Sequence, residues 1–139
     1  MSIDYKSTGT LFNELITTRL KIKNIGPKEP FIKREEDLIE ALGKRRPWLE
    51  RLDKIIDDLN ELSRVLDKLW WEQEVLYQMI DYDFEEDLRD QDERDLFDMA
   101  WAGVNSIKLN KQRSDLTRRI DTILGEESST VLEKSWKWT

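Results

Sequence analysis

The chain has neither cysteine nor histidine, so thiol nucleophiles, disulfides, imidazole bases and the usual zinc ligand sets are absent together. Any chemistry must come from carboxylates, amides, cationic side chains and tryptophan. The carboxylates gather in residues 81–98, ten of them against two arginines. Asp81, Asp83 and Glu85 alternate as in the first half of an EF-hand loop. That loop also needs Gly at its sixth position and a bidentate Glu at its twelfth, where this chain has Glu86 and Asp92. These three residues are therefore weak metal candidates, and the run reads as a solvated acidic turn. Glu50-x-x-Asp53 has the spacing with which paired helical carboxylates hold magnesium for phosphate chemistry, but no matching Glu-x-x-Glu pair stands opposite it. No cofactor is expected; magnesium belongs only to an alternative reading as a phosphate-ester enzyme or binder.

A second constellation is aromatic. Trp48, Trp70, Trp71, Trp101, Trp136 and Trp138 make six tryptophans in 139 residues. Core packing accounts for most of them. Trp70 and Trp71 are adjacent, and on a helix their side chains diverge by about 100°, so only one points fully into a given seam. The other is expected to cover a second helix, a subunit or a ligand. Trp136 and Trp138 should dock back on the bundle or on another protomer. Asn110 falls on an apolar stripe with Arg113 one turn on. A buried Asn sets register; alternatively, Asn110 and Arg113 face Glu72 or Glu74 and form a pocket for a small anionic or sugar-like ligand. The basic residues Lys108, Lys111, Arg113, Arg118 and Arg119 share one segment without interleaved aromatics. With a net charge of −7, nucleic acid is not an expected partner.

Helices must position these residues. Only 5 Gly and 3 Pro punctuate the chain, too few for a many-stranded fold. A polar arm (1–10) precedes a first helix over 11–24, where Leu11, Phe12, Leu15, Ile16 and Leu20 recur at helical spacing and Gly26-Pro27 follows as the stop. A short helix is predicted over 35–46 behind the acidic start Glu35-Glu36-Asp37. Pro47 then either kinks the chain or opens a new helix, the break being the better fit. From 47 to 80, Leu52, Leu59, Leu66, Gln73 and Ile80 recur every seven residues, with Ile55, Leu62, Leu69 and Leu76 between them. Trp48, Leu49, Ile56, Trp70 and Tyr77 widen this seam, so the helix should pack against more than one neighbour. A return helix is predicted over 95–124, with Leu96, Met99, Ala100, Gly103, Ile107, Asn110, Leu116, Ile120 and Leu124 as its buried stripe. Gly125 ends it, and an aromatic tail follows over 128–139. The fold expected is all-α: one domain, a bundle built on a long coiled-coil-like antiparallel hairpin with the N-terminal helix packed along it.

The landmarks Gly9-Thr10-Leu11 with Lys21, Leu69-Trp70 with Glu74, Asn110 with Arg113, and Glu133-Lys134-Ser135-Trp136 occur in that order over most of the chain. In this order they resemble an uncharacterised family of small all-helical bacterial and phage proteins. Asn13, Glu14 and Arg19 stand where that pattern places an acid, a base and an acid. The resemblance implies the helical fold and a bacterial or phage source, phage encoding being one option; it implies no activity.

The residues favour a non-enzymatic role, a self-associating scaffold or adaptor working through protein–protein contacts. Its ligand or interface candidates are Trp70, Trp71, Glu72, Glu74, Asn110, Arg113, Trp136 and Trp138. The alternative is a magnesium-dependent hydrolase or binder of a nucleotide or sugar phosphate. No apolar run approaches the ~18 residues of a membrane span and no signal-peptide core begins the chain, so a cytoplasmic protein without membrane contact is expected.

Overall fold

The computed structural model describes residues 6–83 and 93–126, with side chains over 6–75 and 97–126. It is all-helical there: α1 (Thr8–Asn24), α2 (Glu29–Gly43), α3 (Arg46–Glu50), α4 (Leu52–Asp83) and α5 (Glu93–Ile123). No described helix is long and apolar enough to cross a membrane.

The helix boundaries follow local chemistry. Ser7 caps α1, its hydroxyl accepting from the Thr10 amide at 3.3 Å. Gly26, at φ 132°, takes the chain out of that helix in a conformation costly for any side chain. The helix expected to begin at Glu35 begins at Glu29. Pro30 lies in its first turn, where a missing N–H costs nothing, so Phe31 and Ile32 are helical rather than part of a connector. Pro47 does break the chain. It opens the five-residue α3, and Arg51 leaves helical geometry (φ −113°, ψ 21°) before α4 begins.

Helices α4 and α5 run antiparallel. Asp58 on α4 pairs with Arg119 on α5 at 3.2 Å. At the same end, the Arg51 guanidinium donates to the Ile123 carbonyl at 2.6 Å, satisfying an acceptor that the end of α5 leaves open. Between them lies the larger core, Ile55, Leu62, Val65, Leu66 and Leu69 against Leu116, Ile120 and Leu124. The heptad positions 55, 62, 66 and 69 thus do face the core. Leu49 and Ile56, expected to widen the seam, are exposed, because the α3–α4 break turns the first off the axis and the second lies one residue past the buried Ile55.

Leu11 and Leu15 of α1 pack on Leu38, Ala41 and Leu42 of α2 as a smaller core. Phe12 and Trp48 touch both cores. Their rings meet edge to face, with centroids 5.3 Å apart, and the Trp48 indole N–H donates to the Leu42 carbonyl at 2.6 Å. Trp48 therefore ties α3 to the end of α2 while packing between the layers. Trp48→Phe keeps an aromatic ring but removes that donor and part of the indole's packed volume; it is expected to cost about 1–3 kcal/mol, read as a fall of several degrees in the thermal midpoint by circular dichroism.

The N-terminus of α1 is held from the far end of the chain. Gly9 donates its amide to Asp121 Oδ1 at 2.7 Å, and Thr8 donates its amide to Glu126 Oε1 at 3.1 Å. These are two of the amides that a helix start leaves without an intrahelical acceptor, and carboxylates also suit the positive end of the helix dipole. Arg45, at the end of α2, reaches Thr8 Oγ1 at 3.1 Å and Glu126 Oε1 at 3.5 Å. Three elements thus converge on one turn of α1.

Candidate functional site

The predicted residues Trp70, Trp71, Glu72 and Glu74 lie in the second half of α4, beyond the buried core positions Ile55–Leu69. Trp71 and Glu72 of α4 line an open groove of about 380 Å³ together with Asp67, Lys68, Asn105, Lys108, Leu109 and Gln112. Leu109 also packs on the main core and so forms part of the floor. The groove carries two carboxylates, two ammonium groups and two amides around one indole, a balanced set without net charge. Among the described residues none of these six polar side chains makes a hydrogen bond or ion pair with another. Water or a ligand must satisfy them.

Of the predicted site residues, the structure brings Trp71 and Glu72 together in this groove. Trp70 and Glu74 are partly buried and do not line it. Arg113 donates through Nε to Asn110 Oδ1 at 3.4 Å. The register set by the Asp58–Arg119 pair places Arg113 level with residue 64 and Asn110 level with residue 67, short of Glu72, so the expected Asn–Arg–Glu pocket does not assemble. The residues that do meet Glu72 from α5 are Asn105 and Lys108, one turn earlier in the helix. Asp81 and Asp83 lie in the final turn of α4 with side chains outside the described set, and Glu85, Trp136 and Trp138 lie outside the described residues. Among the described residues no group of three or more acids is placed to hold a metal ion. Glu14 and Arg19, the altered first-helix charges, are used internally: Glu14 pairs with Lys6 and with Arg34 at 2.7 Å, and Arg19 pairs with Glu35 at 3.3 Å.

The larger departure from expectation concerns the outer face of α5. Ala100 and Ile107 were predicted on the buried stripe, and both are exposed. Toward α4 the helix presents Ala102, Ser106, Leu109, Leu116, Ile120 and Leu124 instead. The reason is a change of phase. The stripe 109, 116, 120, 124 is continuous with the core of α4, whereas 97, 100, 104, 107 lies on the opposite side of the same helix. Phe97 is 66% exposed, Trp101 56%, Val104 44% and Ile107 73%, and on α4 Trp71 is 54% and Val75 41% exposed. Phe97 and Trp101 stack on each other with centroids 6.4 Å apart and planes 9° from parallel, presenting one flat aromatic surface. Phe97, Val104, Asn105 and Lys108 had no site role in the sequence; a second apolar period at positions 97, 100, 104 and 107 was the available signal.

The four exposed side chains on α5, Phe97, Trp101, Val104 and Ile107, present on the order of 450 Å² of surface, within the range of the largest patch of a typical monomer (about 300–600 Å²), a patch that is often functional. The arrangement can seat an apolar partner surface on α5 and, beside it, a polar ligand over Trp71. Comparison with known proteins finds no family model, no curated protein and no solved structure that matches this chain.

Proposed function

We propose that this chain is a non-enzymatic, self-associating scaffold or adaptor of phage type, built on α4 and α5 as a long coiled-coil-like hairpin whose outer half is the working surface. The supporting observation is the apolar stripe Phe97, Ala100, Trp101, Val104 and Ile107 on the side of α5 turned away from α4. A helix with apolar residues on two opposite faces needs a neighbour on each, and within the described chain the stripe 97–107 is left exposed while the opposite face packs on α4. Sedimentation velocity from micromolar to millimolar protein checks this. The parent chain is expected to shift to a larger species with concentration. Ile107→Glu is expected to weaken that association by about tenfold or more and leave the melting temperature of the monomer unchanged, since the side chain touches no core. A parent chain that remains monomeric throughout removes the proposal.

The groove supports a second reading, a binder of a nucleotide or sugar phosphate. Trp71 offers a stacking face, and Lys68 and Lys108 offer ammonium groups to an anion. The test is quenching of tryptophan fluorescence on titration with nucleoside and sugar phosphates, with and without magnesium. Quenching lost in Trp71→Phe would support the reading; no response to any of these compounds ends it.

A further inference from the structure

Resting on the self-association just proposed, we infer that the outer face of α5 is covered by α5 of a second copy, running antiparallel about a two-fold axis level with Ala102. The stripe positions 97, 100, 104 and 107 are spaced three, four and three residues apart, so they read the same in both directions. An isologous contact requires that self-complementarity. In the antiparallel register Phe97 meets Ile107 of the second copy, Ala100 meets Val104, and each contact occurs twice. Trp101 flanks the seam on one side and lies beside Trp101 of the second copy across the axis.

The opposite flank holds Gly103. A Cβ there would meet nothing within 4 Å, and glycine inside a helix is less favourable than alanine by about 1 kcal/mol. Nothing among the described residues calls for glycine here, and a close approach of two helices does. Ala100 therefore matches the bulk of Val104 brought by the second copy, and Gly103 lies beside Gly103 of the second copy on the flank away from the tryptophans, where the two backbones can approach.

Charge selects the antiparallel arrangement over the parallel one. The start of α5 carries Glu93, Asp95 and Asp98 against Arg94, and residues 108–119 carry Lys108, Lys111, Arg113, Arg118 and Arg119 against Asp115. A parallel pair would set acidic segment beside acidic segment. The antiparallel pair lays the acidic end of each copy along the basic stretch of the other. The area is that of a small interface: on the order of 450 Å² of exposed side chain from Phe97, Trp101, Val104 and Ile107, about half of the roughly 800 Å² per partner of a standard stable one, with the flanking polar side chains adding to it.

Because the chain has no cysteine, single introduced thiols report this geometry directly. Ala100→Cys and Val104→Cys, one of them carrying a size tag, are oxidised separately and after mixing, alongside sedimentation of the parent chain and of both reduced variants. Only Cα atoms closer than about 7 Å can be bridged. The mixture is expected to yield at least about fivefold more covalent heterodimer than either variant yields homodimer. Efficient homodimers from each variant alone would mean parallel pairing and overturn the inference. Association by sedimentation with no cross-link in any sample, here and with the pair Phe97→Cys and Ile107→Cys, would place the interface elsewhere; it would overturn this geometry and leave self-association standing. A parent chain that is monomeric at every concentration would overturn both.

Discussion

Replacing Gly9 by alanine is expected to destabilise the fold by about 2–4 kcal/mol, although alanine is the better helix former. The added Cβ would stand 2.5 Å from the Thr117 carbonyl oxygen and 2.7 Å from Asp121 Oδ1. The first of these is backbone in the middle of α5 and cannot retreat without moving the helix. The second is the acceptor of the Gly9 amide itself. Relief therefore requires α1 to back away from α5, which also draws Phe12 from Trp48 and the two cores apart. The matched control is Gly103→Ala, where the new methyl meets nothing within 4 Å and helix propensity alone should raise monomer stability by up to about 1 kcal/mol. The same chemical change at two helical glycines is thus expected to move the thermal midpoint in opposite directions. Circular dichroism melts at a concentration where the chain is monomeric decide it, and equal shifts would contradict the close approach at Gly9.

Removing the Asp121 carboxylate is expected to be comparably severe. The residue is fully buried and supplies α5's acceptor to the start of α1 at a separation of 112 residues. Asp121→Ala leaves a buried amide unsatisfied at the positive end of a helix dipole and opens a void, for an expected loss of about 3–5 kcal/mol. Asp121→Asn keeps an acceptor oxygen but surrenders the charge, for about 1–2 kcal/mol. The ordering parent, Asn, Ala is the content of the prediction. Tryptophan fluorescence should report it too, because loosening α1 removes Phe12 from the Trp48 ring. An alanine variant as stable as the asparagine variant would show that the amide contact contributes little.

Local periodicity was legible wherever one neighbour dominated. Ile55, Leu62, Leu66 and Leu69 are spaced for a single seam and lie in the core, because the seven-residue repeat keeps one face toward one partner. The stop at Gly26 was legible for the same local reason, whereas α1 begins at Thr8, inside the stretch expected to be a polar arm. The start of α2 lies six residues before the acidic run Glu35-Glu36-Asp37 taken as its first turn, because Pro30 fits the true first turn. The buried stripe of α5 was misjudged more seriously. Its distal half carries two apolar periods of opposite phase, and the pattern of a single chain does not say which phase meets α4 and which is left outside.

The candidate site divided along the same line. Trp71 and Glu72 belong to one stretch of α4, and their adjacency marked them. Their counterparts Asn105, Lys108 and Gln112 depend on the register of α5, which is set by Asp58 with Arg119 and by Arg51 with the Ile123 carbonyl. A different register would have delivered Asn110 and Arg113 to Glu72.

By itself the sequence determined an all-helical chain, the seam of its longest helix, the break at Pro47 and the absence of thiol and imidazole chemistry, all of which depend on residue types and on spacings within a few turns. Only the tertiary structure decided that Gly9 lies against Asp121, that Trp48 joins two cores, and that the outer stripe of α5 faces away from the rest of the fold. Each of these joins residues far apart along the chain or chooses between two faces of one helix, and that choice is made by which helices fit together, a quantity no local period contains.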